Sequence, residues 1–337
     1  MIYPDASGSA VTVDEMLQRT WTDGFLVMHG GEIVLEQYFN GMTPQTLHLM
    51  MSYSKSVTST LVGIAAFAGQ MDPSAALTDY LPELTDTALN GATLQQALDM
   101  QVGVTFDEDY ENLNGDWRDF ELATGWRDAG PGYTGPRDIA GVTRTLTDSS
   151  GPHGDVFHYQ SVVTNIVGVC LERATGRRFS DLLSEQTWQP LGAEQDLVTI
   201  VDSTGSASFE GGFNCCLRDF SRFGRLICEC GNVAGRQVVP SEWIDVCRFP
   251  ESALVASFAR SEYGDALRGF AYHNKWWVRD PARGVIMALG INGQMLYIDP
   301  ERDFVAAKFS SQPEVVDFAM ALDQIDGIEA ILDACLA

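Results

Sequence analysis

The sequence predicts an α+β protein: one antiparallel sheet built from both chain termini and flanked by helices, with a mainly helical region inserted between the two halves. Three observations point there. Strand-like apolar runs cluster near the start and again over the last quarter of the chain, helical spacing fills the middle, and no internal repeat or low-complexity tract is visible. The expected division places the sheet region in residues 1–75 and 195–337 and the helical region in residues 76–194.

The elements follow in order. GFLVMHGGEIVLEQYF, residues 24–39, reads as a hairpin, because Gly30-Gly31 supplies a two-residue turn between two strand-like runs. Residues 52–68 are small and apolar without proline, and Gly69 is a good residue to end such a helix. TLQQALDM, YQSVVTNIVGVCLERATG and FSDLLSEQTWQPLG carry helical spacing, with Gly176 closing the second. LRDFSRFGRLICECG, residues 217–231, is again helical. NKWWVRD, GVIMALGI, GQMLYIDP and DFVAAKFSS then read as strands separated by turn residues, and a last helix is expected over 314–335.

Composition narrows the function. The chain has 337 residues, with 21 basic against 46 acidic side chains and a formal net charge of -25. A surface that acidic repels nucleic acid and anionic lipid. The first residues carry no cationic, apolar leader pattern, and no run approaches the ~18 apolar residues of a membrane span. The expectation is a cytoplasmic protein. Seven cysteines include only Cys215-Cys216 and Cys228-x-Cys230 as close sets, which are poor zinc spacings, so buried reduced thiols are expected and neither a metal nor a cofactor. His29, His48, His153, His158 and His273 show no ligand spacing. Gly130-Pro131-Gly132-Tyr133-Thr134-Gly135 fits G-x-G-x-x-G, but follows no strand and opens no helix, so it reads as a loop.

One short stretch carries chemistry. Basic charge comes from 18 arginines and only three lysines, and one of those lysines lies three residues after a serine in Ser52-Tyr53-Ser54-Lys55. On a helix these two share a face. A neutral amine is a competent base for a hydroxyl, and burial or the helix dipole would lower its pKa. The Ser52 N–H would face a developing oxyanion. Chance predicts about 0.2 such matches in a chain of this composition, and a polar helix start with a solvated lysine would carry the same letters. Tyr159, just before a helix and near Ser161, is a candidate proton carrier if an adjacent ammonium lowers its pKa, and is otherwise a core tyrosine. There is no G-x-S-x-G, H-E-x-x-H or P-loop.

TDGFLVMHGGEIVLEQYFNG, MSYSKS, ELATGW, FHYQS, LERATG, EGGFNCCLRDFSRFGR and GINGQMLYIDP together resemble the serine hydrolases of the β-lactamase/penicillin-binding-protein superfamily. Within it the sequence is most similar to 6-aminohexanoate-dimer hydrolases and class C β-lactamase-like esterases. The resemblance runs from about residue 22 to 313 and implies a β-lactamase/transpeptidase-like fold. It implies Ser52 as nucleophile, Lys55 as base and Tyr159 as proton relay. Gly290-Ile291-Asn292-Gly293-Gln294 stands in place of the K-T-G strand, which implies the Ile291 N–H as an oxyanion donor. Tyr110 matches a tyrosine that touches the substrate amide. Glu121 falls where an aspartate holds the substrate's amino group. Three departures concern the substrate: Asn292 where histidine is common, Val163 where asparagine follows the tyrosine, and Glu210 where asparagine stands in the close relatives. Tyr110, Glu121, Glu210 and Asn292 are therefore the candidate substrate-binding residues, the two glutamates favouring an amine-bearing substrate. The implied partner is a small-molecule amide or ester, with a homodimer as the assembly to test. A carboxylesterase without amidase activity, and a catalytically silent sensor on the same fold, are the competing readings.

Overall fold

The computed structural model describes residues 1–5 and 8–337. A seven-stranded antiparallel sheet is built from β1 (Thr22–His29), β2 (Glu32–Tyr38), β3 (Ala271–His273), β4 (Trp276–Asp280), β5 (Val285–Gly290), β6 (Gln294–Asp299) and β7 (Phe304–Ser310). Their spatial order is β3-β4-β5-β6-β7-β1-β2. The two chain ends meet inside the sheet, where β7 pairs with β1 in a register that sets Ala306 opposite Val27 and Lys308 opposite Phe25. The expected hairpin is β1–β2, with Gly30 and Gly31 both at positive φ (59° and 81°). That turn twists with the strands only where both central residues tolerate a left-handed backbone.

Both faces of the sheet are covered. Leu26, Leu296, Ile298, Val305, Ala307 and Phe309 point to one apolar cluster, while Phe25, Val27, Met295, Tyr297, Phe304 and Ala306 point to a second. This period-two split explains why the strands read as continuous apolar runs rather than alternating ones. Helix α1 (Val13–Arg19) and the C-terminal α6 (Phe318–Leu336) supply Met16, Leu17, Ile325, Ile328 and Ile331 to the second cluster. The first cluster lies under α2 (Ser54–Phe67) and α5 (Leu217–Cys228), and continues without a break into the region of α3 (Asp116–Ala123) and α4 (Ser161–Thr175) through Leu94, Phe120, Ile139 and Val163.

Several elements lie outside the expectation. Helix α1 opens on a capping box in which Thr12 accepts from the Glu15 N–H. Two-residue strands at His48–Leu49 and Val198–Thr199 flank Phe213–Cys215 in a small antiparallel sheet. These strands are too short for periodicity to reveal, yet they bring residues 48–55 beside residues 210–216, with the Met50 N–H donating to Phe213 O at 2.8 Å. Phe67, the last residue of α2, is 52% exposed. The interior of α2 is rich in hydroxyls that find backbone partners: Ser56 Oγ donates to Lys275 O at 2.8 Å and Ser59 Oγ to Asn274 O at 2.6 Å. Gly63 lets α2 approach Trp243, whose ring would lie 2.3 Å from a Cβ there. All seven cysteines are unbonded; burial pushes the Cys215 thiol well up and that of Cys228 to about 12. Among the described residues no helix is long and apolar enough to cross a membrane, and no cluster of histidine, cysteine or carboxylate side chains has the makings of a metal site.

Candidate active site

Ser52 does not begin the long helix. It sits on a single 3₁₀ turn, Met51–Tyr53, that runs into α2 at Ser54. Met51 enters this turn at φ 53°, a left-handed backbone that a methionine adopts only when its surroundings hold it. Tyr53 supplies the anchor. It is fully buried and packs on Phe220 and Phe223 of α5 at ring distances of 4.3 and 5.8 Å. The turn thus tips Ser52 into a cleft while Lys55, one turn on, points inward and is 1% exposed.

Lys55 Nζ lies 2.7 Å from Ser52 Oγ and 2.8 Å from the Glu210 carbonyl oxygen. Burial lowers its pKa to about 8, against the upward pull of the Glu108 and Glu210 carboxylates. The helix dipole is not needed to account for the shift. Tyr159 stands before α4 with its ring 5.0 Å from Lys55 Nζ. Here the expectation is corrected in sign: the phenol pKa is raised well above 10, first by burial, then by Tyr272 and Glu108, and its hydrogen bond with Ser52 only partly opposes this. The ring is enclosed by Trp277, Tyr263, Tyr272 and Phe157, so the phenolate is poorly solvated despite the nearby amine.

The end of β5 closes the other side. A Cβ on Gly290 would stand 2.7 Å from the Met50 carbonyl oxygen, so only glycine lets this strand end meet the Met50–Met51 backbone and bring Ile291 beside Ser52. Asn292 continues at φ 59°, donates its backbone N–H to Val315 O (3.0 Å) and its side-chain amide to Gln312 O (2.9 Å). Its amide nitrogen braces the 312–315 segment, and the residue lines the cleft. Val163 is wholly buried in α4 and does not reach the cleft.

Ser52, Tyr110 and Ile291 line both halves of the cleft. One half is walled by Tyr159, Tyr263, Trp277, Leu289, Met295 and Phe318. The other is walled by Trp117, Glu121, Trp126, Arg127, Glu210 and Asn292. Tyr110 stacks edge-on to Trp117 at 4.7 Å and donates to Glu108 Oε1 at 2.8 Å. Glu121 is not a free acid: its Oε2 takes Arg127 Nε at 2.8 Å and Arg118 Nη1 at 3.3 Å. That pairing weakens the role expected of it in holding an amine. Glu210 is 2% exposed; its Oε1 accepts from Trp126 Nε1 (2.8 Å) and Ser208 Oγ (2.6 Å), and its Oε2 has no partner.

Sequence reasoning missed Glu108. It accepts from the Ser161 N–H at 2.5 Å and the Ser161 hydroxyl at 2.6 Å, tying the start of α4, and so Tyr159, to the Tyr110 loop. Burial raises its pKa, opposed chiefly by Lys55. No spacing rule links Glu108 to Ser161, because the contact crosses 53 residues of chain. Lys275 was also missed. It sits at φ 65° in the β3–β4 turn, is buried, and its amine bonds to Met100 Sδ at 3.1 Å.

An antiparallel sheet joined through both chain ends, with a cleft-lining serine on a buried lysine at the base of a helix and a strand end facing it, defines a hydrolase of the β-lactamase and penicillin-binding-protein superfamily. The chain belongs to the β-lactamase family, whose model, described as Beta-lactamase, matches residues 12–328. It is 34% identical over 309 residues to the 6-aminohexanoate-dimer hydrolase of Paenarthrobacter ureafaciens, covering 90% of this chain and 76% of that one. A solved Bacillus anthracis protein, provisionally described as a 6-aminohexanoate-dimer hydrolase, superposes with a TM-score of 0.88 at 29% identity, over 99% of this chain and 85% of the other. A class C β-lactamase from Rhodobacter sphaeroides superposes at 0.67 with 16% identity, over 95% and 97%, a likeness of fold alone.

Proposed function

We propose that the protein is a serine hydrolase that cleaves linear amides and short esters through an acyl-enzyme. The observation that carries this is the 2.7 Å contact between Ser52 Oγ and a buried Lys55 amine whose pKa is lowered to about 8. An amine so placed is neutral in a useful fraction of molecules near neutral pH and takes the serine proton as Oγ attacks the carbonyl carbon. The N–H groups of Ser52 and Ile291 are the oxyanion donors in this reading. Tyr159 keeps its proton at neutral pH, which suits a general acid. It protonates the leaving amine or alkoxide and is reprotonated by the Lys55 ammonium. Lys55 is then neutral again, accepts a proton from the water that attacks the acyl-serine, and returns it to Ser52 Oγ as the carbon–Oγ bond breaks and the acid product leaves. The name printed for the 34% identical relative supports a linear 6-aminohexanoate amide as the substrate type.

The test is hydrolysis of a p-nitrophenyl ester and of linear 6-aminohexanoate dimer, side by side, by wild type and Ser52→Ala. Both activities present in wild type and absent from the variant is the expected outcome. Ester cleavage alone would make the protein a carboxylesterase, and wild-type activity in Ser52→Ala would remove the serine mechanism.

A further inference from the structure

Lys55, Tyr110 and Ser161 line one half of the cleft, and a single carboxylate grips two of the three. We propose that Glu108 is a positioning residue for the reaction: it is the fixed counter-charge of the ammonium that forms on Lys55, and the same carboxylate holds Tyr110 and Ser161 at the cleft. This rests on the reading of Lys55 as base. It goes further by assigning the charge that makes that amine strong enough to take the serine proton.

Three donors converge on Glu108. Its Oε1 accepts from the Tyr110 hydroxyl at 2.8 Å and the Ser161 hydroxyl at 2.6 Å, and its Oε2 from the Ser161 N–H at 2.5 Å. A carboxyl group placed to accept from every neighbour is favoured as the anion. Burial pushes its pKa up, and the charge of Lys55 leads the opposing pull, ahead of these hydrogen bonds. The attraction is mutual. Among the groups that oppose the effect of burial on Lys55, Glu108 comes first and Glu210 second. Lys275 is a second cation that feels both Lys55 and Glu108, and Tyr110, Tyr159, Tyr263 and Tyr272 are the phenols that feel Glu108.

The reaction needs such an anion. As Ser52 Oγ attacks, its proton passes to Lys55, and a buried neutral amine becomes an ammonium. At 1% exposure water does little to solvate that charge, so a fixed carboxylate must, or desolvation opposes the transfer. Glu210 gives Lys55 its carbonyl oxygen and bonds its carboxylate to Trp126 and Ser208. Glu108 is fixed differently, by the cleft's own walls. Tyr110 ties it to the substrate side, and Ser161 ties it to the start of α4, two residues after Tyr159. The base, the acid and a cleft wall are thus set against one anchor.

The experiment uses Glu108→Gln. Its amide oxygen can take the Ser161 N–H and its amide nitrogen can donate to both hydroxyls, so the contacts persist and the charge goes. The acid limb of kcat/KM for p-nitrophenyl butyrate is expected to move down by about one pH unit or more. The weaker base then lowers the rate about three- to tenfold at pH 9, where the amine is neutral in both proteins, and not at pH 6, where more of the variant's amine is neutral. A merely damaged site would lose the same factor at both. Glu108→Asp keeps the charge and is expected to keep the limb. Because the chain has only three lysines, 13C-lysine NMR reads the same effect without turnover. The Lys55 signal, assigned by its loss in Lys55→Met, should titrate at lower pH in Glu108→Gln, while that of Lys308, which faces Asp23, stays in place. In wild type the limb is expected to hold between about 0.05 and about 1 M salt, because a buried counter-charge is little screened. An equal loss at pH 6 and pH 9, an unmoved Lys55 titration, or a wild-type limb that falls with salt, as the field of a chain of net charge -25 would make it, would each overturn the proposal. A rate that does not follow the Lys55 titration in either protein would overturn the reading of Lys55 as base instead.

Discussion

The pH dependence of kcat/KM follows from the surroundings of Lys55. The base works only when neutral, and its pKa is lowered from 10.5 to about 8. Below that value the neutral fraction, and with it kcat/KM, falls about tenfold per pH unit. A single group at about 8 gives a neutral fraction of about 0.01 at pH 6 and about 0.9 at pH 9, hence a rise of about ninetyfold between them. Burial drives the shift, and the two carboxylates that oppose it, Glu108 and Glu210, set how far it goes. The descending limb is equally specific. Tyr159 is the acid, and burial raises its pKa well above 10, so no fall is expected below pH 10. The assay is the initial rate of p-nitrophenyl ester cleavage at low substrate, corrected for spontaneous hydrolysis, read against pH at constant ionic strength. A profile that is flat from pH 6 to 9, or one that turns down between 8 and 10, would refute the assignment of Lys55 as base and Tyr159 as protonated acid.

Three further outcomes are expected. Tyr159→Phe keeps the ring stacked on Trp277 and removes the proton, so amide turnover should fall by about 10²–10⁴ while p-nitrophenyl ester turnover, whose leaving group needs no proton, falls much less; equal losses would deny Tyr159 the acid role. Gly290→Ala places a Cβ 2.7 Å from the Met50 carbonyl oxygen and 2.9 Å from Met51 Cβ, which must push Ile291 away from Ser52; kcat should drop by about 10²–10³, the worth of one oxyanion donor, and a rate within threefold of wild type would show that the strand end does not set the site. Lys275→Met replaces a buried amine, whose pKa burial lowers and which among the described residues bonds to the Met100 sulfur, with a side chain of similar shape; denaturant melts at pH 7 should show a gain of about 1–3 kcal/mol with kcat/KM nearly unchanged, and a loss of both would mean that the amine of Lys275 serves the site.

What was legible in the sequence divides along physical lines. The sheet strands, α2, α4, α5 and α6 were readable because each buries a whole face or both, so their apolar periodicity is strong. The Ser52–Lys55 pair was readable because both residues lie within one helical turn. Contacts between distant segments left no such trace. The Lys55–Glu210 carbonyl bond depends on a small sheet of two- and three-residue strands, and Glu108 meets Ser161 only after the chain folds. The Tyr159 pKa was misjudged in sign because a nearby amine can be seen in a motif, whereas an enclosure of four aromatic rings drawn from 157 to 277 cannot. Glu121 lines the cleft, and its two arginine partners lie at offsets of three and six residues that an acidic chain makes unremarkable.

The scarcity of lysine acquires a structural meaning. All three lysines of this chain are buried, Lys55 and Lys275 at 1% exposure and Lys308 at 0%. Arginine keeps its charge at any accessible pH and so serves the ion pairs of the surface, whereas an amine can lose its proton and survive burial. Desolvation lowers all three pKa values, to about 8 for Lys55, to about 7 for Lys308, and well below the ordinary value for Lys275. The sign of the linked stability is unfavourable at neutral pH. The unfolded chain binds protons that the folded amines do not, so this cost is complete below each folded pKa and fades as pH rises toward 10.5. For Lys55 a shift from 10.5 to about 8 corresponds to about 3 kcal/mol. A fold retains such a cost where the neutral amine has work to do. Lys55 has beside it the hydroxyl of Ser52, which lines the cleft, while Lys308, bonded to Thr20 O and to the Ser310 hydroxyl inside the sheet, has only buried partners. The same burial therefore reads as chemistry at one lysine and as packing at another, and whether the partner serine opens on the cleft, not the depth of the amine, decides between them.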